Sequence, residues 1–219
     1  MNPVLVKMIF RPAVRRAAYS CLVGRNRDRH EMTKGRFTRT EVNSILKQVW
    51  QDYDQRAPHV PREPKPGNQM NMYLACITFL CHQDLVANGI ERKYAIELIG
   101  DLAWNVYARW GWIARFIAGL FTGDASQRLR LAVNMFLRFP FTPPGYQFKR
   151  VPNPSGISFD MHRCPVAEYF QNHGASDLCL GTWCNLDFPL AELWGGRLER
   201  SETLAAGNSR CDFRFSASQ

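Results

Sequence analysis

Between Thr40 and Phe139 the apolar residues recur at helical spacing, segment after segment, and each segment is stopped by proline or glycine. In "TEVNSILKQVWQDYDQR" (40–56), Val42, Ile45, Leu46, Val49 and Trp50 fall at i, i+3, i+4, i+7 and i+8, with Thr40 as the expected N-cap. "APHVPREPKPGNQ" carries four prolines and a glycine and reads as an extended connector. The pattern resumes over 70–88, with Gly89 as its C-cap. It resumes again from Glu91 at least to Arg109, where Gly111 is expected to bend or end the helix, and once more over 125–139. "PFTPPGYQFKRVPNP" (140–154), with five prolines, reads as a loop.

Beyond Ser155 the texture changes. "GISFDMHRC" alternates as a strand, "CPVAEYFQNHG" reads as a short helix with Pro165 in its first turn, and "CNLDFPLAELWGG" as a helix closed by Gly195 and Gly196. "RLERSETLAAG" and "RCDFRFSAS" read as two strands joined by a Gly-Asn-Ser turn, with Cys211, Phe213 and Phe215 on one face and Asp212 and Arg214 on the other. The expected fold is therefore α+β. Its N-terminal two thirds are mainly helical, followed by a small antiparallel sheet and short helices. A basic arm or helix (1–39) precedes a single domain (40–219), divided into a helical part (40–140) and a cysteine-containing sheet part (155–219).

The net charge of +9 is an N-terminal property: residues 1–62 hold 13 Lys and Arg against 5 Asp and Glu, whereas 63–219 hold 15 against 14. That segment reads either as a surface helix packed on its own domain or a second subunit, or as an arm for an anionic membrane or a targeting segment. Pro12 argues against one smooth helix there. No nucleic-acid motif accompanies the charge, so no nucleic-acid partner is expected. No apolar run approaches the ~20 residues of a membrane span; "WGWIARFIAGLF" is the nearest and contains Arg115. Peripheral membrane contact through the N-terminus and a homo-oligomer both stay open.

Seven cysteines without the spacing of a disulfide scaffold point to a reducing compartment, hence a cytoplasmic protein whose thiols are available for chemistry. Four of them lie in the last 56 residues: Cys164, Cys179, Cys184 and Cys211. A helix N-terminus lowers a thiol pKa, and Cys164 and Cys184 both precede expected helices. His162, two residues before Cys164 on the same strand face, is a candidate base, and Asp187 follows Cys184 by three. Equally, these thiols are small enough to be buried core residues. No cofactor is expected; the alternative is a divalent metal held by Cys164, Cys184, Cys211 and His162. Cys179-x4-Cys184 is a poor zinc spacing, and Cys76 and Cys81 lie about 140° apart around their helix. Arg200, Arg214 and Asp160, with Trp183 beside Cys184, are candidate contacts for a small-molecule substrate, arginine being suited to a carboxylate. Cross-strand charge pairing on the solvent face is the competing role for Asp160, Arg200, Glu202, Thr203, Asp212 and Arg214.

"RCP" (163–165), "CNLDFPLAE" (184–192) and "RSETLAAGNSRCDFRF" (200–215), in this order behind a helical half, resemble the L-2-amino-thiazoline-4-carboxylic acid hydrolase family. The resemblance is specific over roughly the last 60 residues and only general over 40–140. It implies hydrolytic opening of a cyclic amidine to an N-carbamoyl amino acid, that is, cleavage of a C–N or C–S bond. Cys184 or water would be the nucleophile, Asp187 or His162 the proton carrier, and an arginine the carboxylate anchor. The terminal hairpin is also similar to that of vinyl-reductase-type sensory domains, which bind ligands without turnover. The basic first 35 residues and the tryptophan-rich "AWNVYARWGWIARF" depart from the family pattern and suggest a larger, more apolar substrate or membrane contact. Core or interface is the first expectation for Trp104, Trp110 and Trp112, with a pocket wall as the alternative.

Overall fold

A computed structural model describes residues 1–153 and 156–218. Five long helices come first: α1 (Pro3–Leu22), α2 (Arg39–Arg56), α3 (Pro66–Ala87), α4 (Arg92–Phe121) and α5 (Ala125–Arg138). Then follow β1 (Gln147–Val151), β2 (Gly156–Arg163), α6 (Pro165–Asn172), α7 (Ser176–Cys179), a π-helical turn (Leu180–Cys184), α8 (Asp187–Leu193), β3 (Gly196–Glu199) and β4 (Cys211–Ala217). The fold is α+β, as expected. Its sheet is antiparallel throughout, in the order β1-β2-β4-β3.

Helix α2 starts two residues earlier than Thr40 implies, because the capping box is Thr38-x-x-Glu41. The Glu41 amide donates to Thr38 Oγ1 at 3.2 Å, and the Thr38 amide donates back to Glu41 Oε2 at 2.7 Å. Helix α3 begins at Pro66 rather than Met70, since proline at the first helical position lacks only an amide that would be unpaired there. Helix α1 runs unbroken through Pro12. Pro12 is exposed, so the Met8 carbonyl it leaves unpaired faces water. Residues 3–22 are not a detached arm: Val6, Phe10, Val14, Ala17 and Ala18 are buried against the helical core.

Gly111 does not interrupt α4. It is where α8 crosses: a Cβ there would sit 2.5 Å from Leu190 Cδ1 and 2.7 Å from Leu193 Cδ2, while Trp194 Nε1 donates to the Gly111 carbonyl at 3.1 Å. A missing side chain at position 111 is thus what brings α8 down onto α4.

The proline-rich loop contains an unexpected strand, β1, which forms an edge of the sheet and exposes Lys149 and Arg150 as edge protection. The end of that loop, at Pro154, lies outside the described residues. The terminal hairpin also differs from expectation. β3 stops at Glu199, and the connection to β4 is residues 200–210 with a 3-10 turn at Leu204–Ala206, not a Gly-Asn-Ser turn. Asp212 Oδ1 accepts the amides of Ser201 at 2.9 Å and Glu202 at 2.6 Å, so these donors bond a side chain instead of a ladder partner.

Candidate active site

The inner face of the sheet packs on α5, and the helical run from α7 to α8 closes over one side. Between them lies a cavity of about 100 Å³. Phe159 and Met161 of β2 and Cys211, Phe213 and Phe215 of β4 form its floor, Val133, Phe136 and Leu137 of α5 one wall. Cys179, Trp183, Cys184, Asp187 and Leu190 form the facing wall, with Cys164, Tyr146 and Arg200 at its margins. Its lining is mostly aromatic and aliphatic, and the charge is concentrated in one pair, as expected of a small-ligand site.

That pair is Arg200 with Asp187. Arg200 Nη1 donates to Asp187 Oδ2 at 2.6 Å, and Nη2 donates to the Cys184 carbonyl at 2.9 Å. The guanidinium lies 5.0 Å from the Phe188 ring and 5.3 Å from the Phe213 ring, and its side chain is 5% exposed. Leaving water costs an arginine least when its planar faces meet rings and its edge meets a carboxylate and a carbonyl. Asp187 retains 25% side-chain exposure and lines the cavity. Burial pushes its carboxyl above the usual range, against the opposing pull of Arg200.

Cys184 ends the π-helical turn. The turn sits against α4 through Gly181, where a Cβ would come 2.3 Å from Ile96 Cγ2; π-helical irregularities often mark functional positions. Cys184 Sγ lies 4.0 Å from Cys179 Sγ and 3.7 Å from Thr203 Oγ1. Its thiol is shifted down, first by hydrogen bonding with the Cys179 thiol, then by Arg200 and Thr203, against burial and the Asp187 charge. Cys179 is correspondingly held well up. Burial also pushes Cys164 and Cys211 up. Cys211 Sγ donates to Thr203 Oγ1 at 3.4 Å and accepts the Leu204 amide at 3.2 Å.

Two expectations about the thiols change accordingly. Cys184 is not at a helix start, since α8 begins three residues later at Asp187; neighbouring donors, not a helix dipole, favour its thiolate. Cys164 does precede α6, and the first-turn amides of Ala167 and Val166 favour its thiolate, but burial outweighs them.

The structure separates His162 from Cys164. Phe148 pairs with Met161 but Gln147 pairs with Arg163, so β2 carries one extra residue at a bulge. The bulge resets the alternation: Met161 and Cys164 line the cavity, and His162 is exposed. The metal set Cys164, Cys184, Cys211 and His162 is not assembled for the same reason. Among the described residues no group of three or more His, Cys, Asp or Glu is arranged to hold a metal ion.

Asp160 and Arg214 are on the other face of the sheet. Asp160 accepts from Arg214 Nη2 at 2.6 Å and from Arg210 Nη1 at 3.1 Å, and Arg210 Nε donates to Glu202 at 2.7 Å. This is the cross-strand pairing that alternation demands. Trp183 stands between the main cavity and a second apolar one of about 60 Å³, with its indole donating to Thr78 Oγ1 at 3.3 Å. Trp104, Trp110 and Trp112 line neither cavity.

Sequence reasoning missed Tyr146. Its hydroxyl accepts from Asn71 Nδ2 at 2.9 Å, and both residues are buried. The available signal was the cluster Asn68, Gln69 and Asn71, amides that a helix interior buries only with partners elsewhere.

Residues 123–215 match the model of the family described as L-2-amino-thiazoline-4-carboxylic acid hydrolase. All residues lining the main cavity fall within that span, whereas α1 to α4 lie before it. No curated protein and no solved structure matches the chain.

Proposed function

We propose that the protein is a hydrolase that opens a C–S or C–N bond of a small cyclic amidine of the thiazoline type, with Cys184 as nucleophile and Asp187 as proton carrier. The observation that supports this most directly is that Cys184 lines the cavity beside the Arg200–Asp187 pair, with Arg200 donating both to Asp187 Oδ2 at 2.6 Å and to the Cys184 carbonyl at 2.9 Å; the downward shift of the Cys184 thiol agrees with it. The family match over residues 123–215 supports the reaction class.

In this mechanism the Cys184 thiolate bonds to the ring carbon between nitrogen and sulfur. The ring C–S bond breaks, and the sulfur departs as a thiolate. The Asp187 carboxylate, paired with Arg200, accepts a proton from water as the oxygen adds to the same carbon, and passes it to the departed sulfur. Collapse moves the hydroxyl proton to nitrogen and expels Cys184 as thiolate. The product is an N-carbamoyl amino acid, and one water is consumed. Arg200 fixes the Asp187 carboxylate and supplies positive charge toward a substrate carboxylate, while Trp183 provides a flat apolar wall. The cavity of about 100 Å³ suits a single small ring, being well below the ~300 Å³ of sites for drug-sized ligands.

The test is to incubate purified protein with 2-amino-thiazoline-4-carboxylate, and separately with a small-molecule extract, and to follow products by mass spectrometry. Cys184→Ala should abolish turnover in a folded protein, and an acid quench should trap a covalent adduct on Cys184 in the unsubstituted chain. His162→Ala should leave turnover unchanged. Undiminished turnover in Cys184→Ala removes the nucleophile assignment. A ligand enriched from the extract without any product would assign the cavity to binding alone.

A further inference from the structure

Helices α1 and α4 lie side by side and antiparallel. Phe10 stacks on Trp110 at 6.4 Å between centroids, Asn105 Nδ2 donates to Cys21 Sγ at 3.1 Å, and Arg25 pairs with Asp101 at 2.6 Å. This register brings the N-terminal half of α1 and the C-terminal half of α4 to one end of the pair. The end is unusually apolar for an exposed surface. Val4, Leu5, Met8 and Ile9 are exposed on α1, and Trp112, Ile113, Phe116, Leu120 and Phe121 on α4, with Phe116 at 68% and Phe121 at 77%. Single exposed apolar residues are ordinary, but a cluster of this kind marks an interaction surface.

Its charge is one-sided. Residues 1–27 contain no Asp or Glu, and neither do 102–123. At this end the same stretches contribute Arg11 on α1 and Arg109 and Arg115 on α4, all exposed, and Arg15 and Arg16 follow further along α1. Arg115 lies 5.3 Å over the Trp112 ring and donates through Nη1 to the Leu193 carbonyl at 2.5 Å. Two acids beside these stretches are already engaged: Asp54 holds Lys7 at 2.6 Å, and Asp124 caps α5 through the Gln127 amide at 2.7 Å. At the opposite end of the pair, Asp101 and Glu97 neutralise Arg25 and Arg29.

We infer that this end of the α1–α4 pair docks on an anionic membrane surface, its aromatic and aliphatic side chains entering the interfacial layer and its arginines meeting lipid phosphates. Apolar residues flanked by arginine, with a tryptophan beside them, are the composition that an interfacial helix uses. A second copy of the chain fits less well, because a two-fold contact presents the same arginines to one another. No described helix is long and apolar enough to cross a membrane, so the contact is a peripheral one. The inference is independent of the hydrolase reading, since no residue of this face lines the main cavity.

Vesicle flotation of the full chain tests it. Vesicles of phosphatidylcholine with about 30% phosphatidylglycerol should carry the protein at low salt, and pure phosphatidylcholine at least tenfold less. Raising salt to about 0.5 M should weaken binding to the anionic vesicles by a similar factor. Phe116→Glu with Leu120→Glu, and separately Met8→Glu on the other helix, should each abolish flotation while leaving the circular dichroism melt unchanged, as expected for exposed positions. No flotation with anionic vesicles at low salt overturns the inference, as does equal binding to neutral ones. A dimer in light scattering that the Phe116→Glu, Leu120→Glu variant converts to monomer, with no vesicle binding, assigns the face to a second copy instead.

Discussion

Replacing Arg200 by methionine removes the cation that pairs with Asp187 in the cavity wall and keeps most of the side-chain volume. Breaking one partner of a fully buried ion pair costs about 3–5 kcal/mol, because the other charge stays behind uncompensated. Asp187 is not fully buried: a quarter of its side chain is accessible, which discounts the figure to about 2–4 kcal/mol. Loss of the bond to the Cys184 carbonyl at 2.9 Å falls within that range. For a chain of this size the melting temperature should fall by about 4–15 °C.

The pH dependence has a definite sign. Asp187 has a folded pKa raised above its unfolded value, so the native state holds the proton more tightly than the unfolded chain. Its contribution to stability is present below the unfolded carboxylate pKa and is lost as pH rises through the raised folded value. Without Arg200 the folded value rises further. The penalty of Arg200→Met should therefore shrink on acidification and grow toward neutral pH. Arg200→Met combined with Asp187→Leu should recover at least half of the loss, which a double-mutant cycle in urea reads directly. A cost below about 1 kcal/mol for Arg200→Met, with a pH profile parallel to the parent protein, would refute the buried pair as an organising element of the site.

Two further outcomes follow from the same geometry. Among Cys164, Cys179, Cys184 and Cys211, brief treatment with iodoacetamide near pH 7 should label Cys184 first, by about tenfold or more, in peptide mapping; equal labelling contradicts the one-thiolate assignment. Gly111→Val should destabilise the protein by about 1–3 kcal/mol in thermal unfolding, because its side chain enters the space of Leu190 and Leu193; an unchanged melt means that α8 moves freely on α4.

Much of the fold is legible in the sequence because its determinants are local. The helical stripes of α2 to α5 and the proline and glycine stops between them are properties of short windows. So is the placing of Cys211, Phe213 and Phe215 on one face of β4. Thr38 as the cap of α2 is legible too, through Glu41 three residues later, although Thr40 also fits in front of the apolar stripe. β1 was hidden because proline-rich flanks read as loop, whereas an edge strand needs pairing on one side only.

The candidate site is less legible. The sequence by itself determined that the thiols and acids of the C-terminal third lie near one another along the chain, that the sheet there alternates, and that the basic excess belongs to the N-terminus. Which of those residues share a cavity was decided by the tertiary structure. Alternation with Met161 keeps His162 outward while one extra residue in β2 brings Cys164 to the cavity face, strand alternation takes Asp160 and Arg214 to the far face, and a loop anchored on Asp212 carries Arg200 inward to Asp187. The physical reason is that side-chain direction depends on register, and register is set by pairing partners distant in the chain. Thiol reactivity, likewise, is set by burial and by neighbours such as Cys179, Thr203 and Arg200, which only folding brings to Cys184.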